Sequence, residues 1–230
     1  MNNSTTKTIF AVIFVIICTF SKVSAQLLPN TPGVSLFCNG TDLTLPPAPS
    51  GEDWIVKYSA TQTNIPSIGI ILASGNKIPA ADLKTGYYYL SSKSTTAGAC
   101  ESELQEIPVY VLQPLVVEFI PANFCLESPL AQVGTVSSPD ANTQAFVYQW
   151  YTLDGAGAET AIPGATAKDY TPSAPAIVGT KKHRLKAGYL IDGKNYCPQT
   201  ADHDIMVTPK PTKPTITPGT ITGTATAVTF

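Results

Sequence analysis

One run of residues, Phe146-Val147-Tyr148-Gln149-Trp150-Tyr151, alternates aromatic side chains with smaller or polar ones. Successive side chains of a β-strand point to opposite faces, so Phe146, Tyr148 and Trp150 are predicted to share one buried face. Burying one such aromatic removes ~150–250 Å² from water and contributes several kcal/mol at ~25 cal/mol/Å². An earlier run, Trp54-Ile55-Val56-Lys57-Tyr58, has the same alternation. Both tryptophans, Trp54 and Trp150, are therefore predicted to be core residues.

The sequence pattern of the rest of the chain predicts short strands. Pro is scattered along it, and no window longer than about ten residues keeps a 3.6-residue apolar period, so helices are not expected. Runs of Val, Ile, Thr, Tyr and Leu recur between clusters of Pro, Gly, Asn, Asp and Ser, which is typical of a sandwich or barrel. The predicted strands are Asp42–Leu45, Trp54–Ala60, Ile68–Ala73, Tyr87–Lys93, Ile107–Leu112, Ala145–Thr152, Arg184–Ile191 and Ile205–Thr208.

An internal repeat divides these strands into two sets. Trp54 lies 46 residues before Cys100, and Trp150 lies 47 residues before Cys197. Each set opens near a cysteine and closes with an alternating apolar strand that ends at a proline. A tryptophan between two cysteines in about 95 residues of short strands is typical of an immunoglobulin-like sandwich. The prediction is an all-β fold of two tandem immunoglobulin-like β-sandwiches, residues 26–114 and residues 115–209.

The two ends of the chain have other compositions. Residues 1–25 combine Lys7, a 12-residue apolar run and a small-residue site at Val23-Ser24-Ala25, as a cleaved signal peptide does. Twelve residues rise only ~18 Å as a helix, so no membrane span is expected in the mature chain. Residues 210–230 are rich in Pro, Thr and Gly and are predicted to be a linker or the start of a truncated third unit. A tail that pairs with a sheet edge is the alternative.

Four cysteines remain after cleavage: Cys38, Cys100, Cys125 and Cys197. An even number in an exported chain indicates disulfides, and separations of 62, 25 and 72 residues do not suit a zinc site. Pairing within each repeat predicts the bonds 38–100 and 125–197. Against it, these cysteines are expected near strand ends at opposite poles of a sandwich, where Cα atoms are more than ~7 Å apart.

A family resemblance follows from several motifs. The second repeat contains Tyr148-Gln149-Trp150-Tyr151, Ile162-Pro163-Gly164-Ala165-Thr166 and Tyr170-Thr171-Pro172, and the first contains Cys38-Asn39-Gly40-Thr41, Gly86-Tyr87-Tyr88-Tyr89-Leu90 and Gly98-Ala99-Cys100-Glu101-Ser102. Over nearly all of residues 27–209 the chain resembles the tandem Ig-like (PKD-like) repeats of secreted and surface proteins of Bacteroidota-type bacteria. The resemblance implies spacer or adhesive modules in the cell envelope.

Composition and motifs argue against several classes of function for this sequence: nucleic-acid binding, catalysis and metal binding. Charged residues are 13 % of the chain and the net charge is −2, so a basic nucleic-acid footprint is not expected. No nucleophile elbow, phosphate-binding loop or calcium loop is present, and Asp192-Gly193-Lys194-Asn195 is predicted to be a hairpin turn. In Asp202-His203-Asp204 only the two carboxylates are expected to share a face, which leaves a weak cation site as the less favoured interpretation. No enzyme activity, catalytic residue, cofactor or metal is predicted.

Two surfaces are candidates for binding. If Tyr88 and Leu90 face the core, Tyr87 and Tyr89 project outward and offer two aromatic planes for a sugar or a protein. Lys182, Arg184 and Lys186 lie on the solvent face of their strand, either guarding an edge or binding an acidic polymer. The predicted function is a non-catalytic adhesion or spacer module, secreted or at the bacterial cell surface. A carbohydrate-binding module that uses these two surfaces is the alternative, and the partner is a protein or a glycan.

Overall fold

The protein is described by a computed structural model that covers residues 26–96, 98–143, 145–173 and 176–215. The predicted signal peptide, residues 1–25, lies outside the described residues, as do the last 15 residues of the predicted linker or third unit. Within the described ranges, the chain contains no helix with the length and apolarity that a membrane crossing requires.

The described part of the chain is all-β, as predicted. Most strands follow the predicted alternation, and the last two are longer than predicted. The strands are β1 Ser35–Cys38, β2 Leu43–Thr44, β3 Glu52–Ser59, β4 Ile68–Ile70, β5 Lys77–Ile78, β6 Gly86–Ser94, β7 Gln105–Leu112, β8 Val116–Ile120, β9 Phe124–Cys125, β10 Val133–Ser137, β11 Phe146–Leu153, β12 Glu159–Ala161, β13 Gly179–Ile191 and β14 Lys194–Thr208.

The internal repeat is visible in the order of the strands. One five-stranded sheet has the order β1-β7-β6-β3-β4, and a second has the order β12-β11-β13-β14-β9. Read from opposite ends, the two orders are the same. In each sheet the edge strand that ends at a cysteine pairs in parallel with the last strand of the repeat, β1 with β7 and β9 with β14. The tryptophan lies on strand β3 or β11, the position of strand C in an immunoglobulin-like sandwich.

A smaller sheet accompanies each large one, β2–β5 in the first repeat and β10–β8 in the second. The first core takes apolar side chains from both kinds of sheet: Leu43, Leu45, Val56, Ile78, Leu83, Tyr88, Leu90, Val109 and Val111. The second core is built around a fully buried Trp150: Phe119, Phe124, Trp150, Leu185, Ala201, Ile205 and Val207. The described chain therefore consists of two immunoglobulin-like β-sandwiches.

By internal contacts the chain divides into two compact units. Among the described residues, unit 1 contains those from Gln26 to Leu115 together with Ser137–Phe146 and Gly188–Pro198. Unit 2 contains Val116–Val136, Val147–Ala187 and the described residues from Gln199 to Thr215. Two segments of the second repeat therefore belong to unit 1, which the internal repeat does not predict. The division into continuous domains 26–114 and 115–209 stays a prediction about the repeat.

One of these segments is the tip of the β13–β14 hairpin. The tip turns at Asp192 and Gly193, whose φ angles of 48° and 72° are both positive, as a two-residue type I′ turn requires. Asp-Gly is a preferred pair for that turn because glycine, and to a lesser degree aspartate, tolerates positive φ. The predicted hairpin at Asp192-Gly193-Lys194-Asn195 is confirmed.

Candidate functional site

A disulfide bond closes unit 1. Cys38, the last residue of β1, is bonded to Cys197 at the start of β14, with their Cα atoms 5.4 Å apart and 159 residues apart in sequence. Cys100 and Cys125 are exposed free thiols. The predicted bonds 38–100 and 125–197 are therefore wrong, although the prediction that Cys38 and Cys197 are oxidised is right.

Strand geometry explains why the pairs within each repeat do not form. Cys125 is in register with Thr208 on β14, and Cys197 lies eleven residues earlier on that same strand. Cys125 is thus beside the last residue of β14 and Cys197 is near its start, whereas a disulfide needs Cα atoms within ~7 Å. In the first repeat Cys38 is in register with Leu112, while Cys100 precedes the opposite end of β7. In each repeat the two cysteines lie at opposite ends of the strands, and this separation prevents the predicted bonds.

Hydrogen bonds join the second-repeat segments of unit 1 to strand β7 and to the residue that follows it. The Tyr110 hydroxyl lies 2.8 Å from both carboxylate oxygens of Asp140 and donates to them, and the Asn142 side-chain amide donates to the Tyr110 oxygen. The Tyr189 hydroxyl donates to the Gln113 carbonyl at 2.8 Å and lies 2.7 Å from the Ser138 hydroxyl.

Burial determines the protonation of Tyr110. Tyr110 and Asp140 are both buried. Burial is the main cause that raises the pKa of Tyr110 to about 12, and the Asp140 carboxylate contributes in the same direction. Tyr110 therefore stays a hydrogen-bond donor at neutral pH. The sequence analysis missed this site. The motif that could have indicated it is Ser138-Pro139-Asp140, whose residue types favour a turn with local side-chain hydrogen bonds.

Two of the basic side chains on β13 are paired with carboxylates of neighbouring strands. Arg184 donates to Asp202 on β14 at 2.6 and 2.5 Å and to Glu159 on β12 at 2.6 Å. Lys186 donates to the same Glu159 at 2.7 Å and lies 4.7 Å from the centre of the Tyr151 ring. Hydrogen bonds from Lys186 and then Arg184 lower the pKa of Glu159. Two of the three cations predicted to bind an acidic polymer are thus engaged within unit 2.

The remaining charges of this face line an open groove. Lys182 is exposed and lies on the groove with Arg184, Asp202 and Asp204. The expected alternation holds, because Asp202 and Asp204 share the groove while His203 contacts Glu118 and the edge of Phe119 elsewhere. Among the described residues, no three His, Cys, Asp or Glu side chains come together as metal ligands.

The tyrosine surface is not exposed, and this prediction is wrong. Tyr87 is only 9 % exposed and Tyr89 only 3 %. Strand β6 lies inside its sheet, between β3 and β7, and the chain after β3 covers its second face. In that segment the Thr63 backbone N–H donates to the Tyr89 hydroxyl oxygen at 2.8 Å. Burial raises the pKa of Tyr89. Neither ring is available for a sugar to stack on.

The two tryptophans differ in their surroundings. Trp150 is fully buried, meets Phe119 edge-on with ring centres 4.8 Å apart, and donates from its indole nitrogen to the Ala167 carbonyl. Trp54 is half-buried, packs against the first core, and donates to the Pro46 carbonyl at 2.8 Å.

Comparisons with known proteins show only a weak structural similarity. No protein-family model and no curated protein match the chain. Fibronectin(III)-like modules of Clostridium thermocellum CbhA are 14 % identical with a TM-score of 0.36, and the match covers 80 % of this chain and 94 % of theirs. The three N-terminal domains of the bacteriophage RB49 outer capsid protein Hoc are 17 % identical with a TM-score of 0.34 and coverage of 75 % and 56 %.

The N-terminal four Ig domains of Dscam1 isoform 1.9 are 12 % identical, with a TM-score of 0.31 and coverage of 77 % of this chain and 43 % of theirs. All these TM-scores lie below 0.5, so the fold assignment rests on the strand order of the chain itself. The Bacteroidota-type, PKD-like character stays a prediction.

Proposed function

We propose that the protein is a non-catalytic, secreted or surface-attached spacer or adhesion module whose disulfide carries tension applied along the chain. The observation that carries this proposal is the bond between Cys38 and Cys197, which spans 159 residues and encloses strands of both repeats. Disulfides persist in oxidising surroundings outside the cytoplasm, which agrees with export by the predicted signal peptide.

The bond limits how far the chain extends under load. A force applied to the two ends passes from Cys38 directly to Cys197, so the intervening residues are not under tension. Without the bond, 159 residues would extend by roughly 520–570 Å, at ~3.3–3.6 Å per residue. With it, only the residues before Cys38 and after Cys197 lengthen. A spacer that keeps its reach under pulling has this property.

Single-molecule stretching tests the proposal. The chain without residues 1–25 is held through handles at its ends and pulled before and after addition of a reductant. We expect short extensions while the disulfide is intact and an additional release of roughly 520–570 Å after reduction. The variant Cys100→Ser/Cys125→Ser keeps the disulfide and is expected to behave as the parent chain. Full-length release from the oxidised chain would overturn the proposal.

The carbohydrate-binding alternative loses the residues on which it depended. Tyr87 and Tyr89 are buried, and Arg184 and Lys186 are engaged with Glu159 and Asp202. We expect a glycan array to show no saturable binding. Saturable binding that is lost in Lys182→Ala would favour the alternative, because Lys182 is an exposed cation on the groove, beside the equally exposed Lys181.

A further inference from the structure

The two free thiols are related by the internal repeat to the two cysteines that are bonded. Cys38 is in register with Leu112, and the N–H of the next residue donates to the Leu112 carbonyl at 2.9 Å. Cys125 is in register with Thr208, and the N–H of the next residue donates to the Thr208 carbonyl at 3.0 Å. Cys38 and Cys125 therefore occupy the same structural position, which we name the strand-end cysteine.

Cys100 and Cys197 also correspond. Each lies 46 or 47 residues after the tryptophan of its repeat and near the turn between the last two strands. Cys197 lies near the start of β14, and Cys100 directly precedes Glu101, which bridges to Lys93 on β6. We name this position the hairpin cysteine.

The bond present in the molecule joins the strand-end cysteine of the first repeat to the hairpin cysteine of the second. What remains is the hairpin cysteine of the first repeat, Cys100, and the strand-end cysteine of the second, Cys125, both exposed as thiols. These are the two positions that bond when one repeat follows another. A second copy of the chain, placed after the first, supplies Cys100 to Cys125.

A second observation points to the same partner. Tyr110, two residues before Leu112, is buried because Asp140 and Asn142 of the second repeat cover it. The equivalent residue two positions before Thr208 is Met206, and its apolar side chain is 44 % exposed. The surface beside Cys125 thus has an uncovered apolar residue where the first repeat is covered by the repeat that follows it.

The charges of the two segments are complementary. Residues 94–106, which contain Cys100, carry Glu101, Glu103 and Glu106 and no basic residue. Residues 208–215, which follow the register position of Cys125, carry Lys210 and Lys213 and no acidic residue. Glu101 is paired with Lys57 and Lys210 with Glu127, so the charges that favour the encounter of these two segments are Glu103 and Glu106 on the first and Lys213 on the second.

We propose that Cys125 of one copy forms a disulfide with Cys100 of a second copy, so that chains are linked head to tail. The bond forms by exchange with a small disulfide oxidant such as oxidised glutathione. The two thiols release two protons and two electrons, and the oxidant is reduced to two molecules of glutathione. Because the contact joins different positions of the two copies, it repeats and gives open chains or rings.

The cross-link is tested in a glutathione redox buffer with the chain lacking residues 1–25. We expect non-reducing electrophoresis to show a series of oligomers that reductant converts to monomer. Cys100→Ser alone and Cys125→Ser alone are expected to lose the series. A mixture of the two variants is expected to give dimers and nothing larger. As a matched control, Cys125→Ser/Ser128→Cys keeps an exposed thiol three residues away and is expected to form no series.

Isotope labelling identifies the linked residues. The Cys100→Ser chain is labelled with ¹⁵N and the Cys125→Ser chain is not, and the dimer is digested without reduction. We expect a labelled Cys125 peptide joined to an unlabelled Cys100 peptide. Links of 125 to 125 or of 100 to 100 would overturn the inference. In the parent chain, a 100–125 bond inside a monomer or monomers that keep both thiols free would overturn it as well. The inference goes beyond the proposed spacer role, because it needs no tension and every variant keeps Cys38–Cys197.

Discussion

Trp150 and Trp54 occupy equivalent strands but differ in burial. Trp150 lies fully inside its core against Phe119 and Tyr170, whereas Trp54 is half-buried at the margin of its core. Period-2 alternation predicted the inward face of both strands, because it depends only on neighbouring residues. How much of a side chain is covered depends on distant segments, so the sequence did not distinguish the two tryptophans.

Substitution of the tryptophans tests this difference. Trp150→Ala is expected to lower the free energy of unfolding by about 3–5 kcal/mol, since it leaves a cavity in a closed core. Trp54→Ala is expected to cost less, because part of that ring already contacts water. Urea unfolding followed by circular dichroism measures both variants. Equal losses would contradict the assignment of a central role to Trp150 alone.

Tyr110 gives a prediction at alkaline pH. Its pKa is about 12 in the folded protein and about 10 in an unfolded chain, so the unfolded state loses the proton first. Stability from this group is full below pH 10 and falls as the pH rises toward 12. Tyr110→Phe is expected to make the alkaline loss shallower. Some loss remains, because burial also raises the pKa of Tyr88. Thermal unfolding of the parent chain and of Tyr110→Phe between pH 8 and 11 measures how fast stability falls with pH. The same fall in both proteins would refute the role of Tyr110.

At the scale of elements, the β13–β14 hairpin depends on a glycine. Gly193 has a φ of 72°, a conformation that costs an L-residue about 1–2 kcal/mol. Gly193→Ala is therefore expected to lower the free energy of unfolding by about 1 kcal/mol. Gly155→Ala is the control, since that glycine needs no positive φ and has open space around it, and a change within ±0.5 kcal/mol is expected. Urea unfolding compares the two, and similar losses would contradict this account of the turn.

The elements also mark the limit of what local sequence predicts. Eight of the described strands, the two sandwiches and the Asp192-Gly193 turn could be predicted, because alternation and turn chemistry are local properties. The burial of both faces of β6 could not be predicted, because Tyr89 is covered by the segment around Thr63, 26 residues away in sequence. The partners of Arg184 likewise lie on other strands, at Glu159 and Asp202.

At the scale of the whole molecule, one covalent bond encloses most of the chain. Cys38–Cys197 spans 159 residues, and on the chain-entropy model a loop of that length contributes about 5 kcal/mol. Cys38→Ser/Cys197→Ser is expected to lower the free energy of unfolding by about 3–5 kcal/mol. Cys100→Ser/Cys125→Ser is the control and is expected to leave the stability of the monomer unchanged. Guanidinium unfolding measures both, and equal effects would contradict the pairing.

The pairing itself was beyond the sequence. Two cysteines in each repeat favoured bonds within repeats. The opposite poles expected for each pair argued against those bonds, but they did not indicate that Cys38 would meet a cysteine of the other repeat. Unit 1 takes residues 188–198 from the second repeat, which brings Cys197 to Cys38. The mechanical proposal and the head-to-tail cross-link both follow from that placement.

Mapping of the disulfide in the purified monomer is the most direct measurement. Free thiols are alkylated first, and the unreduced chain is cleaved with trypsin and a glutamate-specific protease. The second protease is required because no Lys or Arg lies between Cys100 and Cys125. The account predicts a Cys38 peptide joined to a Cys197 peptide, with Cys100 and Cys125 alkylated. Peptides that join Cys38 to Cys100 and Cys125 to Cys197 would contradict it.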